Sequence, residues 1–216
     1  MDRSEYIRLL CEASVNDTTK FAQVSSARPP KRDRPPKRFH PLLEREKHLQ
    51  SVVSRILPAK VACVVNPRGS RLAHLYGLPK THKAKLSMRP ILSASGTYNY
   101  NSAKWLDEKL KPLSCNTNTI TDMFAFANEL KDLRVNKDDI LVSYDVTSLF
   151  TNVPLLETID ILVEKAFIDD WFNKTHNLDI SKQDLEELLK EATMDQLFQF
   201  NSHLYKQRMV LPWVHP

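Results

Sequence analysis

The sequence predicts an α+β domain: a small sheet of hairpin-connected strands with amphipathic helices around it. Three observations carry this. Two short extended pieces lie at 75–79 and 90–93, apolar residues recur at helical spacing in several separate stretches, and a second hairpin pattern covers 199–205. With 216 residues and 42% hydrophobic content, the chain can bury a core.

The opening residues, Met1-Asp2-Arg3-Ser4-Glu5-Tyr6, have neither a basic start followed by an apolar core nor the Arg-rich, acid-free look of an organellar presequence. An intracellular location is expected. The longest apolar stretches, such as 61–65, are a handful of residues, so no membrane passage is expected where a spanning helix needs roughly 20. Cys11, Cys63 and Cys115 are odd in number and far apart, without the close pairing of a zinc clamp, and read as reduced, packed thiols. Only three glycines occur, Gly69, Gly77 and Gly96, and they never cluster. That excludes a glycine-rich phosphate loop, so any nucleotide chemistry must use metal and side chains. The net charge of +5 and pI near 9.0 suit a polyphosphate partner without demanding one.

Along the chain, residues 28–38 concentrate prolines and basic side chains, which predicts an extended basic loop. It reads equally as a phosphate-contacting arm and as a solvated linker. Leu49, Val52, Val53 and Ile56 predict a helix over 43–57, closed by Pro58. The two extended pieces at 75–79 and 90–93 follow, joined by a cationic connection around Lys80, Lys83 and Lys85. Helices are predicted over 102–113 and 121–133, the second with Met123, Phe126, Leu130 and Leu133 on one side as core. The β-branched, apolar run 139–146 reads as a buried strand. Helices over 155–172 and 182–194 follow, the latter capped by Ser181, and a hairpin turns at Asn201-Ser202. Residues 209–216 fit no periodic pattern.

Asp145 ends the apolar run 139–146, and a carboxylate there calls for a partner. Taken alone, a turn or helix-capping aspartate is the commoner use of such a residue. Its surroundings add a second reading. Residues 141–155, Leu-Val-Ser-Tyr-Asp-Val-Thr-Ser-Leu-Phe-Thr-Asn-Val-Pro-Leu, resemble motif A of reverse transcriptases in the form found in Penelope-like retroelements. The resemblance implies that Asp145 is catalytic and binds magnesium, and that Phe150 packs beside the sugar of the incoming nucleotide. Magnesium prefers oxygen ligands, and the backbone carbonyl of Val146 would add one at the rim of a sheet. A Phe over the ribose would clash with a 2′-hydroxyl and favour deoxynucleotides.

Residues 75–83 and 88–93, Leu-Tyr-Gly-Leu-Pro-Lys-Thr-His-Lys and Met-Arg-Pro-Ile-Leu-Ser, resemble the fingers of the same family. There, Lys80, Lys83 and Arg89 would hold template and triphosphate phosphates, the planar guanidinium being suited to phosphate oxygens. The implied fold is a partial right-hand polymerase. Residues 1–138 would form a fingers-like region and 139–216 a partial palm, its sheet incomplete and its edges exposed. The implied partners are an RNA template, a DNA primer and deoxynucleoside triphosphates, with magnesium as cofactor; the oligomeric state is left open.

The resemblance breaks at both ends. An Asp-Lys-Gly signature expected upstream would precede Met1, and the run after Lys206-Gln207 should approach Asp-Gly-Val-Ala-Met-Gly-Ser-Pro, the family's motif B. Back-translating 209–216 from the final G of an Arg208 codon in a shifted frame permits those eight residues. A frame shift within motif B is therefore expected. The second acidic motif would lie beyond Pro216, and Asp160, Asp169 and Asp170 read as surface residues rather than replacements. The chain alone is expected not to polymerise DNA. The rival reading is a non-catalytic basic module that binds nucleic acid through 28–38 and 80–85. The Lys31 to Arg38 cluster is the only feature resembling a nuclear import signal.

Overall fold

The computed structural model describes residues 1–24, 40–81, 85–114, 116, 118–134, 136–140, 142–144 and 153–208. Helix α1 (Arg3–Ala13) starts where the Asp2 carboxylate accepts the Glu5 amide at 2.8 Å, satisfying a donor the helix start leaves open. Strand β1 (Phe21–Gln23) follows. Helix α2 (Pro41–Ile56) carries proline in its first turn, where the missing N–H costs nothing. Helix α3 is Ala59–Val65. Strands β2 (Ala73–Pro79) and β3 (Met88–Ser93) form a hairpin. Helix α4 (Tyr100–Leu110) runs into a 3₁₀ turn at Lys111–Ser114. Helix α5 is Met123–Asp132, α6 Leu155–Ala166, α7 Trp171–His176 and α8 Lys182–Thr193. Strands β4 (Leu197–Phe200) and β5 (His203–Gln207) make a second hairpin. Asn201 and Ser202, at φ 46° and 65°, turn it, as the right-handed strand twist prefers in a two-residue loop.

One mixed sheet holds all five described strands in the order β1-β5-β4-β2-β3. Only β2 and β4 run parallel, touching at Ala73–Phe198 and His74–Gln199. Strands from either side of residue 138 therefore share one sheet. Helix α1 covers one face, and Leu10, Phe21, Ala73, Leu92 and Phe198 form the core between them. The rings of Phe21 and Phe198 meet edge to face at 5.8 Å, and Phe198 stacks on Tyr205 at 5.5 Å. Gly77 lets α1 come close: a Cβ there would sit 3.0 Å from Leu10 Cδ1 and 3.1 Å from Met88 Cε.

The larger core is helical. Helices α2, α3, α4, α6, α7 and α8 converge on Leu49, Val53, Ile159, Phe172, Leu185 and Leu188. Helix α8 owes its start to a reciprocal cap, Ser181 Oγ accepting the Asp184 amide at 3.1 Å while Asp184 accepts the Ser181 amide at 3.0 Å.

Several expectations match these elements. The helices at 43–57, 102–113 and 182–194, both hairpins and the Ser181 cap are present within a few residues. The α+β class is also observed. Four expectations need correction. The helix expected over 155–172 ends at Ala166; Asp169 and Asp170 take left-handed φ of 50° and 55°, which aspartate tolerates, and turn the chain so that Phe172 enters the core. Cys63 is exposed rather than packed, while Cys11 is half-buried and burial pushes its thiol up. Cys115 lies outside the described residues.

The other two corrections concern one region. The described residues of the run 139–146, namely 139, 140 and 142–144, belong to no strand, and Ile140, Val142 and Tyr144 are exposed. A β-branched run becomes a strand only where a neighbour pairs with it, and none of the described strands does so here. Helix α5 forms as expected, but Met123, Leu130 and Leu133 are exposed and Phe126 is only half-buried, so its stripe is not core. Periodicity marks a face that needs cover and does not supply the cover.

Candidate nucleic-acid interface

The β2–β3 hairpin positions two of the predicted site residues. Its register pairs His74 with Ser93, Tyr76 with Ile91, Leu78 with Arg89 and Pro79 with Met88. Beyond the strand ends, the Lys80 amide donates to the Ser87 carbonyl at 2.8 Å. Hydrogen-bonded and non-bonded pairs alternate in an antiparallel ladder, so Leu78–Arg89 and Tyr76–Ile91 are bonded pairs while Gly77–Pro90 and Pro79–Met88 are not. Both prolines thus occupy positions whose nitrogen faces away from the partner strand, where the missing N–H costs the hairpin nothing. Pro90 also lies on the edge strand, where it blunts the row of open donors. On the other side of β2, the Gly77 amide donates to the Tyr6 hydroxyl at 2.8 Å, tying the hairpin to α1.

Alternation assigns the side chains to faces. Ala73, Leu75, Gly77, Met88 and Leu92 point toward α1, while Tyr76, Leu78, Lys80 and Arg89 share the opposite face. Arg89 is exposed and Lys80 half-buried; Leu78 is 48% and Tyr76 37% exposed. Lys80 and Arg89 occupy diagonal positions, which in such a ladder lie about 7–8 Å apart. The result is a cationic pair beside an accessible aromatic ring and an aliphatic side chain, a combination able to hold phosphate and to pack against a base or sugar. Tyr76 and Leu78 are the residues the sequence reading missed. Period-two counting back from Lys80 finds both.

The remaining predicted site residues, Lys83, Asp145, Val146 and Phe150, lie outside the described residues, as do the basic loop 28–38 and the segment 209–216. Among the described residues no group of three or more His, Cys, Asp or Glu side chains could hold a metal ion. Asp160, Asp169 and Asp170 are exposed, as expected. No described helix is long and apolar enough to cross a membrane.

A second polar cluster joins the helices to the sheet. Asp195, in a left-handed turn between α8 and β4, accepts from Arg45 of α2 and from Lys206 Nζ of β5, the latter at 2.7 Å. Burial pushes the Asp195 carboxyl up, but hydrogen bonds and charge from Lys206 and Arg45 outweigh it and hold the group below its ordinary value. Nearby, burial raises the Tyr98 hydroxyl well above the usual tyrosine range. His48 Nε2 lies 3.2 Å from Glu191. Arg45 and Lys206 both face Asp195, so the cluster acts as a stitch between layers rather than as a free anion site. Comparison with protein-family models, curated proteins and solved structures finds no match to this chain.

Proposed function

We propose that the chain is the fingers and first palm portion of an RNA-directed DNA polymerase from a retroelement. One observation carries the reading: the two stretches that resemble polymerase fingers, separated in sequence by a cationic connection, pair in register and present Lys80 and Arg89 on one accessible face. Support also comes from the motif-like run 141–155. On this reading Lys80, Lys83 and Arg89 hold template or triphosphate phosphates. Phe150 would pack beside the sugar, and Asp145 with the Val146 carbonyl would hold magnesium. Magnesium, when bound, supplies the positive charge that phosphoryl transfer requires.

Fluorescence anisotropy of the 216-residue chain with an RNA template annealed to a DNA primer tests the proposal. Replacing Lys80 and Arg89 by Ala should weaken binding and flatten the salt dependence, by about 0.9 in the log–log slope per lost duplex phosphate contact. Adding magnesium and a complementary deoxynucleotide should tighten the complex, and Asp145→Ala should remove that increment. Nucleic-acid affinity indifferent to both Asp145 and magnesium would favour the non-catalytic basic module instead.

A further inference from the structure

We infer that α5 closes onto the groove between α4, α6 and α8, forming the second arm of an αα-hairpin with α4. The groove has a volume of about 510 Å³. Its floor is Leu106, Leu110, Leu189 and Ala192, with half-buried Ala103 and Leu162 on its walls. Asp107, Lys111 and Thr193 complete the lining of this slot in the side of the helical core, and Ser114, on the way from α4 to α5, lies on its rim.

The occupant is the next helix in the chain. From 118 to 144 every described residue except Phe126 is exposed, and the exposed set includes Ile120, Met123, Phe124, Leu130 and Leu133. So much apolar surface in one short excursion marks a face that has a partner. Three features match it to the groove. First, Ala103, Leu106 and Leu110 on α4 recur at i, i+3, i+7, and Met123, Phe126 and Leu130 on α5 recur at the same spacing. Two such stripes run antiparallel set Met123 beside Leu110 and Leu130 beside Ala103, the second pair a large side chain against a small one. Second, α4 has 11 residues and α5 has 10, so the two stripes are equally long. Third, the 12 residues 111–122 connect them, enough for the chain to reverse, and Ser114 within that connection already lies on the rim of the groove.

Phe124 falls on the opposite side of α5 and stays exposed in both arrangements. Since α5 directly precedes 136–144, its closure also fixes where the stretch leading to Asp145 begins. The inference rests on the packing of the helices and stands whether or not the polymerase reading holds.

Hydrogen exchange on the full chain tests it. Closure predicts that α5 amides exchange slower than in an open helix by on the order of tenfold or more, the mark of a docked element. Leu130→Asp on the helix and Ala103→Glu in the groove should each abolish that protection and leave α8 amides unchanged. A short bis-maleimide on Ala103→Cys/Leu130→Cys, with Cys11, Cys63 and Cys115 replaced by Ser, should link the two positions at monomer mass. Unprotected α5 amides in the unsubstituted chain overturn the inference. Linkage found only at dimer mass overturns it as well, because the groove then receives the helix of another copy.

Discussion

Helices α5 and α8 are built from the same local signals. Each is capped by a polar side chain, Asp122 accepting the Phe124 and Ala125 amides and Ser181 joining Asp184 in a reciprocal pair, and each carries an apolar stripe at helical spacing. Yet α8 buries Leu185, Leu188, Leu189 and Ala192, whereas α5 buries nothing. The difference is not in the helices. It lies in whether the surrounding chain brings a complementary surface to the stripe, which is where most of a helix's stability originates.

The largest expected effect sharpens that contrast from the packed side. Phe172 is fully buried and meets Trp105 and His176 edge to face at 6.5 and 5.0 Å. Phe172→Ala removes these contacts and leaves a cavity, so urea denaturation should show a loss of about 3–5 kcal/mol. A loss below about 1 kcal/mol would mean the helical core is not as tightly packed as its burial indicates.

Next comes the Asp195 stitch. Its side chain is 27% exposed, so Asp195→Ala should cost less than the roughly 3–5 kcal/mol of a fully buried broken pair, about 1–3 kcal/mol. The sign with pH follows from its depressed folded value. The stabilisation is present above the unfolded value near 3.9 and is lost as pH falls through the folded one. Asp184, also held low chiefly by the Ser181 hydroxyl, behaves the same way. Stability should therefore fall on acidification below about pH 4, and the fall should be shallower in Asp195→Asn. Denaturant midpoints across that range, with the variant losing stability as steeply as the parent, would dismiss the stitch. Ser181→Ala follows, at about 1 kcal/mol from loss of the α8 cap, and circular dichroism melts would register it.

The elements on both sides of this contrast were visible in the residues themselves, but the contrast was not, since the α5 stripe reads as core as readily as that of α8. Ser181, the 49/52/53/56 stripe of α2 and the Asn201-Ser202 turn announce their elements because the cause is local: a cap, a period, a backbone that tolerates positive φ. Helix α1 carries comparable signals, Asp2 as cap and Tyr6, Leu9 and Leu10 at helical spacing. What could not be read was pairing. Nothing in Leu197–Phe200 names Ala73 and His74 as its parallel neighbours, and nothing in 139–146 says that no described strand will pair with it. On the candidate interface, alternation along β2 and β3 places Lys80 and Arg89 on a common face once the hairpin is granted. The relation of that face to Asp145 is a long-range matter of the same kind.

The smallest expected effect tests the open side of the comparison. Phe124 is 85% exposed on α5 and lies off the Met123–Phe126–Leu130 stripe. Phe124→Ala removes no packed contact and replaces an aromatic by the best helix former, so stability should change by less than about 0.5 kcal/mol. Leu130→Ala, on the stripe of the same helix, separates the two arrangements: it should be equally silent if α5 stands open, and should cost on the order of 1–3 kcal/mol if α5 occupies the α4 groove. Measured side by side, the two substitutions share helix and cap, with Leu130 45% and Phe124 85% exposed in the open form, so a gap of more than about 1 kcal/mol between them reports the contact that the stripe makes.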